Sequence, residues 1–504
     1  MSIIKEEDIL KVLISYNPWW RNFEVPKEEV KEMKRKAFFE AQEAFLNNEI
    51  RRFVLLTGAR RVGKTTILFQ QIKELIDKGK DPKHILYVSF DNPILKFCTL
   101  DKLIELYEIN FTGDGEKYLF LDEIQYAEDW NKWLKVIYDK NTNIHIMATG
   151  SASPIINKGL AESGAGRWIT ITVPTLSFYE YCQLKSINEK KITVKDFNNM
   201  TVEEVNKLLV KDLAKKTEIE AIDNNIPSDL KIEDLENLDE KKLGDIINSL
   251  LGLQKHFNRY LRIGGFPELV LATDDAYAGK ILREDIVDKV LKRDMPSLFG
   301  IRNISILEKV FLYLCFESSN IINYNKMSQE LDNTSIATIQ DYIMYLKNAN
   351  LIYESKPIGG KVLKSKPKVY IADSAIRNAV LMKDDIITDP TEMGYIVETA
   401  VYRHVYTYMQ KFNGTVGYYR DSKTEKEIDI VAESVKTNLY IEVKYREKTA
   451  IKKDNPLYNI PKQNDKIYVI TKDPMDYGIT KLENNKKVVR IPAFAFLYLL
   501  GKQE

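Results

Sequence analysis

Cysteine is scarce in this chain: three residues, Cys98, Cys182 and Cys315, lie far apart in 504. That excludes a disulfide framework and suggests a reducing compartment. Four histidines, His84, His145, His256 and His404, are scattered, so no zinc cluster is visible. No apolar run reaches the roughly 18 residues of a membrane span, and the N-terminus has no signal-peptide pattern. A cytoplasmic location without membrane contact is expected. A charge excess of either sign is missing too: Lys+Arg at 74 balance Asp+Glu at 73. Net charge therefore does not announce nucleic-acid binding, and any basic surface has to be local. What is present is 44% hydrophobic residues over a length that implies several domains, each with its own core.

The most informative segment is Gly58-Ala59-Arg60-Arg61-Val62-Gly63-Lys64-Thr65, which fits G-x-x-x-x-G-K-[ST] without a mismatch. Arg52 to Thr57 reads as the buried strand before it, and Thr66 to Asp77 as the helix after it. In such a loop, glycines let the backbone approach phosphates, successive N–H groups form an anion nest, and the helix N-terminus adds positive potential. Gly58 to Thr66 are thus candidate ATP-binding residues. Lys64 is expected on the β- and γ-phosphates and Thr65 on Mg²⁺.

A second apolar run, Tyr118 to Leu121, ends in Asp122-Glu123. Carboxylates at the C-terminal end of a buried parallel strand lie where α/β sheets bind ligands. Asp122 is the candidate for the Mg²⁺ shell, and Glu123 for the base that polarises water. A third strand, Ile144 to Ala148, ends in Thr149-Gly150-Ser151, where a polar residue such as Ser151 could sense the γ-phosphate; an ordinary turn is the alternative. Arg167 is a candidate arginine finger, with Arg60 and Arg61 competing for that role.

The order of segments predicts a multidomain α/β chain. Residues 1–50 read as an N-terminal helical segment, with Trp19-Trp20 either packed on the ATPase body or lining an adenine pocket. Residues 51–275 read as the P-loop ATPase domain with a parallel sheet. Within it, 185–250 is rich in Lys, Glu, Asp and Asn and reads as an inserted polar lid or helical subdomain, or else as a solvated spacer. Residues 276–372 read as a helical linker and winged helix-turn-helix. Lys356, Lys361, Lys364, Lys366 and Lys368 stud its hairpin, either to contact DNA phosphates or as solvated charges.

Residues 373–504 form the last predicted domain. In the strand Leu439–Lys444, alternation puts Glu442 and Lys444 on one face. Asp429 is expected on the neighbouring strand, between core-facing Ile428 and Ile430. Glu398 is expected near the buried face of the preceding helix. Two or three carboxylates and a lysine on one sheet face can bind Mg²⁺ or Mn²⁺ and activate water for phosphodiester attack. An inert salt-bridge cluster is the alternative.

With these motifs in view, and with Gly264-Gly265-Phe266-Pro267 and Lys292-Arg293-Asp294-Met295, the chain resembles a group of prokaryotic, especially archaeal, AAA+-type ATPases of unknown function. These carry a C-terminal winged helix and a PD-(D/E)xK nuclease-like domain. The resemblance implies ATP binding, hydrolysis and a nucleic-acid context, with DNA the expected partner; a homo-oligomer is a separate expectation. It implies that Glu398 is the helix acid, Asp429 the central acid, and Glu442 and Lys444 the last pair of the nuclease-like motif. Ile428 stands where the superfamily's proline precedes the central aspartate.

Overall fold

The computed structural model describes residues 5–47, 49–140, 142–150, 166–189, 201, 222, 225–359, 366–383, 389–421, 424–446, 455–482 and 485–504. They fall into two units: Met1–Pro174 with Asn348–Asn350, and Thr175–Lys347 with Leu351–Glu504.

In the first unit, strands β1 (Phe53–Thr57), β2 (Ile85–Ser89), β3 (Lys117–Asp122), β4 (Ile144–Gly150) and β5 (Trp168–Thr172) form one sheet in the order β2-β3-β4-β1-β5. Every pairing is parallel. Apolar runs such as Phe53-Val54-Leu55-Leu56 are buried along their whole length, as a sheet covered on both faces requires. Parallel pairing aligns the C-terminal ends of β1, β3 and β4. Thr57, Asp122 and Gly150 therefore lie at one rim of the sheet.

The N-terminal segment seals the β2 edge. The Asn17 side chain accepts from Tyr87 N (2.6 Å) and donates to Tyr87 O (2.9 Å), in place of a strand neighbour. The indoles of Trp19 and Trp20 both donate to Ile85 O, at 3.1 and 2.8 Å. The tryptophan pair packs on the sheet edge, Trp20 stacking on Tyr107 and Phe111. An edge strand left open would be a template for aggregation.

The second unit carries an eight-stranded sheet: β6 (Ile352–Pro357), β7 (Lys368–Ile371), β8 (Thr415–Arg420), β9 (Glu427–Glu433), β10 (Asn438–Lys444), β11 (Lys466–Thr471), β12 (Gly478–Lys481) and β13 (Lys487–Pro492). Their order is β12-β13-β11-β10-β9-β8-β6-β7. The helices Pro390–Gln410 and Ala493–Gly501 share its larger core, through Val401, Val405, Phe496 and Leu500. Ile304–Phe316, Tyr324–Glu330 and Ile336–Asn348 are helices that precede the β6–β7 ladder.

Three expectations change here. The unit boundary falls at Pro174, not near residue 275, because Phe178, Tyr181, Phe257 and Tyr260 join the core of the C-terminal sheet. The 185–250 segment is not a polar lid over its described part: the helix Glu240–Leu250 buries Leu243, Ile246, Ile247 and Leu250 in that same core. The β6–β7 hairpin does not stand free as a wing. Lys356 and Pro357 pair in parallel with Gly417 and Tyr418, so the hairpin is part of the large sheet. A Cβ at Gly417 would lie 2.0 Å from Lys356 O, so only glycine admits that contact.

The Gly264-Gly265 pair has a similar origin. Gly264 has φ +74°, and its Cβ would lie 2.0 Å from Asp373 Oδ1; a Cβ on Gly265 would lie 2.4 Å from Leu176 O. Leu176 N donates to Gly265 O, and Gly265 N to Asp373.

Candidate functional site

The phosphate loop is held by its own backbone. Gly58 (φ +146°) and Gly63 (φ +96°) take conformations that L side chains avoid. A Cβ on Gly58 would lie 2.2 Å from Val173 O, whereas one on Gly63 meets nothing within 4 Å. Space is open where a ligand has to approach. Arg35 braces the loop from behind by donating to Val62 O and Pro174 O, at 2.9 and 2.8 Å. Nothing in the local sequence around Arg35 signals that contact.

Lys64 opens the helix Lys64–Asp77 and is 5% exposed. Its ammonium donates to Gly58 O (2.9 Å) and Ala59 O (2.8 Å). Burial lowers its pKa, opposed by Glu123 and Asp122. Thr65 donates its hydroxyl to Asp122 Oδ2 at 2.8 Å. Asp122, itself buried, collects two more hydroxyls: Tyr87 on Oδ2 at 3.0 Å and Thr149 on Oδ1. Burial and the neighbouring Glu123 raise the Asp122 pKa, and the three hydroxyls oppose that. Glu123 follows in the left-handed region, φ +51°, and its N–H donates to Thr149 Oγ1 at 3.0 Å. A non-glycine residue in that region carries strain, and such strain clusters at functional sites.

Lys64, Thr65, Asp122 and Glu123 are thus brought together. Ser151 lies outside the described residues, and Thr149 is the strand-end residue that bonds to the acids. Tyr87 was hidden in an apolar run that reads as core. Arg167 is not brought to the loop. It precedes β5, with its carbonyl accepting from Phe53 N, at the opposite end of β1 from Gly58. Four residue steps along the strand separate Phe53 from Thr57, roughly 13 Å. There Arg167 forms a bidentate pair with Asp139, at 3.0 and 3.1 Å. A finger role within its own protomer is therefore corrected: parallel register carries it to the wrong rim.

In the C-terminal unit Asp429 lies near Glu442 and Lys444, as the effect of its charge on both shows, but a bulge and not simple alternation places it there. A register shift in the β8–β9 ladder puts Ile430 in the larger core and Ile428 in the smaller one on the other side. The β9–β10 ladder ends at Ile430↔Ile441. Beyond it, Asp429 Oδ2 accepts from Val443 N at 2.8 Å, taking the place of a strand partner. Such a bulge re-aims a side chain. Glu442 is paired with Lys444 through Oε1, while its buried Oε2 has no hydrogen-bond partner. Burial and Asp429 push its pKa up to about 7.

Glu398 accepts from Tyr370 OH at 2.8 Å, and burial pushes its pKa up to about 8, against the pull of Lys368. Lys368 is the surprise. Expected on an exposed wing, it is 2% exposed, with its ammonium 3.0 Å from Glu427 Oε1 and 3.7 Å from Glu398 Oε1. Burial lowers its pKa, but Glu398, Asp429 and Glu427 outweigh that and hold it above the usual lysine range. Among the other hairpin lysines, Lys356 and Lys366 are exposed, whereas Lys361 and Lys364 lie outside the described residues. Lysine ammoniums thus take up carboxylate oxygens that a divalent ion would need. No group of three or more His, Cys, Asp or Glu among the described residues is placed to hold a metal. The expected joint ligation of Mg²⁺ or Mn²⁺ by Asp429 and Glu442 therefore finds no support among the described residues.

Comparison with known proteins agrees with the first unit's design. A family profile described as an AAA domain matches residues 50–182, so the chain carries a P-loop ATPase-type domain. Residues 254–386 and 393–494 match two profiles described as domains of unknown function. An uncharacterized protein of Methanocaldococcus jannaschii is 26% identical over 426 residues, 82% of each chain. One of Haemophilus influenzae is 25% identical over 400 residues, 78% of this chain and 82% of its own. Among solved structures, a Walker-type ATPase of Pyrococcus abyssi aligns with 71% of this chain and 99% of its own, at 15% identity and a TM-score of 0.40. No described helix is long and apolar enough to cross a membrane.

Proposed function

We propose that the first unit binds ATP with Mg²⁺ in the loop Gly58–Thr66 and hydrolyses it, with Glu123 as the general base. The observation that carries this reading is the convergence of Lys64, Thr65, Asp122 and Thr149 at one sheet rim, linked by hydroxyl–carboxylate bonds of 2.8 Å for Thr65 and 3.0 Å for Tyr87. The Thr65 hydroxyl and the Asp122 carboxylate are hard oxygen donors suited to Mg²⁺. When bound, the ion would neutralise phosphate charge. Lys64 supplies the point charge for the β- and γ-phosphates. Glu123 follows Asp122 in a left-handed turn, its carboxylate accepting from the Gln125 side-chain amide, and is the carboxylate proposed to orient water. Arg167 can reach a nucleotide only on a second copy of the chain, so a finger role requires a homo-oligomer.

For the second unit the reading is binding without cleavage: residues 276–372 act as a helical module whose β6–β7 hairpin joins the large sheet, and 373–504 as a nuclease-like domain that does not cut. Its support is the lysine-compensated acidic cluster around Lys368 and Lys444. DNA is the partner that the family resemblance suggests, with ATP controlling the docking.

Calorimetric titration of ATP and Mg²⁺ into the full chain tests the first reading. Binding should be lost in Lys64→Ala; equal binding by the variant overturns the assignment. Incubation of supercoiled DNA with Mn²⁺ tests the second. Intact DNA is expected, and nicking that disappears in Asp429→Ala overturns it.

A further inference from the structure

Asp122 receives three hydroxyl groups, and they do not have equal freedom. Thr65 has a second claim on it, as the residue expected to bind the ion. Thr149 also holds the Glu123 N–H, at 3.0 Å. Tyr87 OH, 3.0 Å from Oδ2, has no partner but Asp122 among the described contacts. Its ring is locked. Phe69, from the phosphate-loop helix, packs against it with centroids 4.7 Å apart, and Tyr16 meets it edge-on at 5.9 Å. Its backbone is locked too, by both arms of the Asn17 amide, at 2.6 and 2.9 Å. Asn17 is itself 1% exposed and tied to Leu13 O at 2.7 Å.

We propose that Tyr87 is a positioning residue for the metal-binding carboxylate Asp122, and that the N-terminal segment around Asn17 sets its placement. The segment before the ATPase fold is then part of the site: Asn17 fixes the β2 edge, the edge fixes the Tyr87 ring, and the hydroxyl fixes Oδ2. A carboxylate acts as a preorganised ligand only when neighbouring hydrogen bonds orient it, and loss of such a partner typically costs metal affinity about 10-fold or more. Tyr87 thereby ties whether the segment is docked to how well the site takes Mg²⁺.

This rests on the ATP-binding reading, and the experiment separates the two. The full-length chain and the variants Tyr87→Phe, Asn17→Ala and Lys64→Ala are titrated with a methylanthraniloyl-ATP in chelator and then in rising Mg²⁺, with a thermal melt of each. Phenylalanine keeps the ring contacts, so a purely structural role leaves both titrations unchanged. The expected result for Tyr87→Phe is a melting temperature and a metal-free affinity close to wild type. Its Mg²⁺ concentration for half-maximal enhancement should rise roughly 10-fold. Asn17→Ala should move in the same direction; if it does not fold, Tyr87→Phe alone decides. A Mg²⁺ midpoint in Tyr87→Phe within twofold of wild type overturns the proposal. Nucleotide binding by Lys64→Ala equal to wild type overturns the underlying reading instead.

Discussion

The two glycines of the phosphate loop have different reasons for being glycine, and replacing each by alanine should separate them. Both have positive φ, +146° at Gly58 and +96° at Gly63, so both variants carry backbone strain of about 1–3 kcal/mol. Only Gly58→Ala adds a collision, with the new Cβ 2.2 Å from Val173 O and 3.1 Å from Val173 C. That carbonyl cannot simply withdraw, because Val173 N is bonded to Thr57 O at 2.7 Å at the end of the β1–β5 pairing. Relief requires a shift of about 1 Å and loss of that bond, about 1 kcal/mol more. Gly58→Ala should therefore be destabilised by roughly 2–4 kcal/mol and Gly63→Ala by roughly 1–3 kcal/mol. The assay is convenient: all five tryptophans, Trp19, Trp20, Trp130, Trp133 and Trp168, lie in the first unit, so urea unfolding followed by tryptophan fluorescence reports on that unit. Equal urea midpoints for the two variants, or a lower one for Gly63→Ala, would refute the steric part of the reasoning.

Other outcomes follow from the charges. Glu398, with its pKa pushed up to about 8, contributes stability that is full below the ordinary carboxylate value and is lost as pH rises through 8; Glu442, near 7, acts in the same sense. Glu398→Gln should therefore gain on wild type between pH 5 and 9 in thermal melts, and parallel curves would contradict this. Lys368→Met removes the buried cation from Glu398 and Glu427 and should cost about 3 kcal/mol in denaturant unfolding at pH 9, and less at pH 5, where Glu398 is protonated. Arg167→Ala should leave ATP affinity unchanged, since the side chain sits at the far rim of its own sheet; a tenfold loss in a monomeric preparation would place it in the site after all.

The parts of the molecule legible in the sequence are those whose signals are local. The strand–loop–helix around Gly58–Lys64 and the apolar run ending in Asp122-Glu123 each carry their meaning within about a dozen residues. In the structure these segments form β1, the helix Lys64–Asp77 and β3. What could not be read depends on register and long-range contact. The β-bulge near Asp429 leaves no mark in an alternating sequence, so simple parity put Ile428 and Ile430 in one core where the structure puts them in two, although Asp429 still lies near Glu442. Lys368 looks like any wing lysine until β6 is found paired with β8. Arg167 stands close in sequence to strand β5, but parallel pairing puts its end of that strand opposite the loop. Tyr87 sits in Ile85-Leu86-Tyr87-Val88, where an aromatic reads as packing, and only the β2–β3 pairing brings its hydroxyl to Asp122.

The central claim is that the acids at the end of β3 turn over ATP held by the loop. A single-turnover measurement with limiting radiolabelled ATP and excess protein tests it most directly, comparing wild type with Glu123→Gln. Wild type is expected to convert the bound ATP to ADP in the presence of Mg²⁺, while Glu123→Gln retains it as ATP. Conversion by Glu123→Gln at the wild-type rate would contradict it.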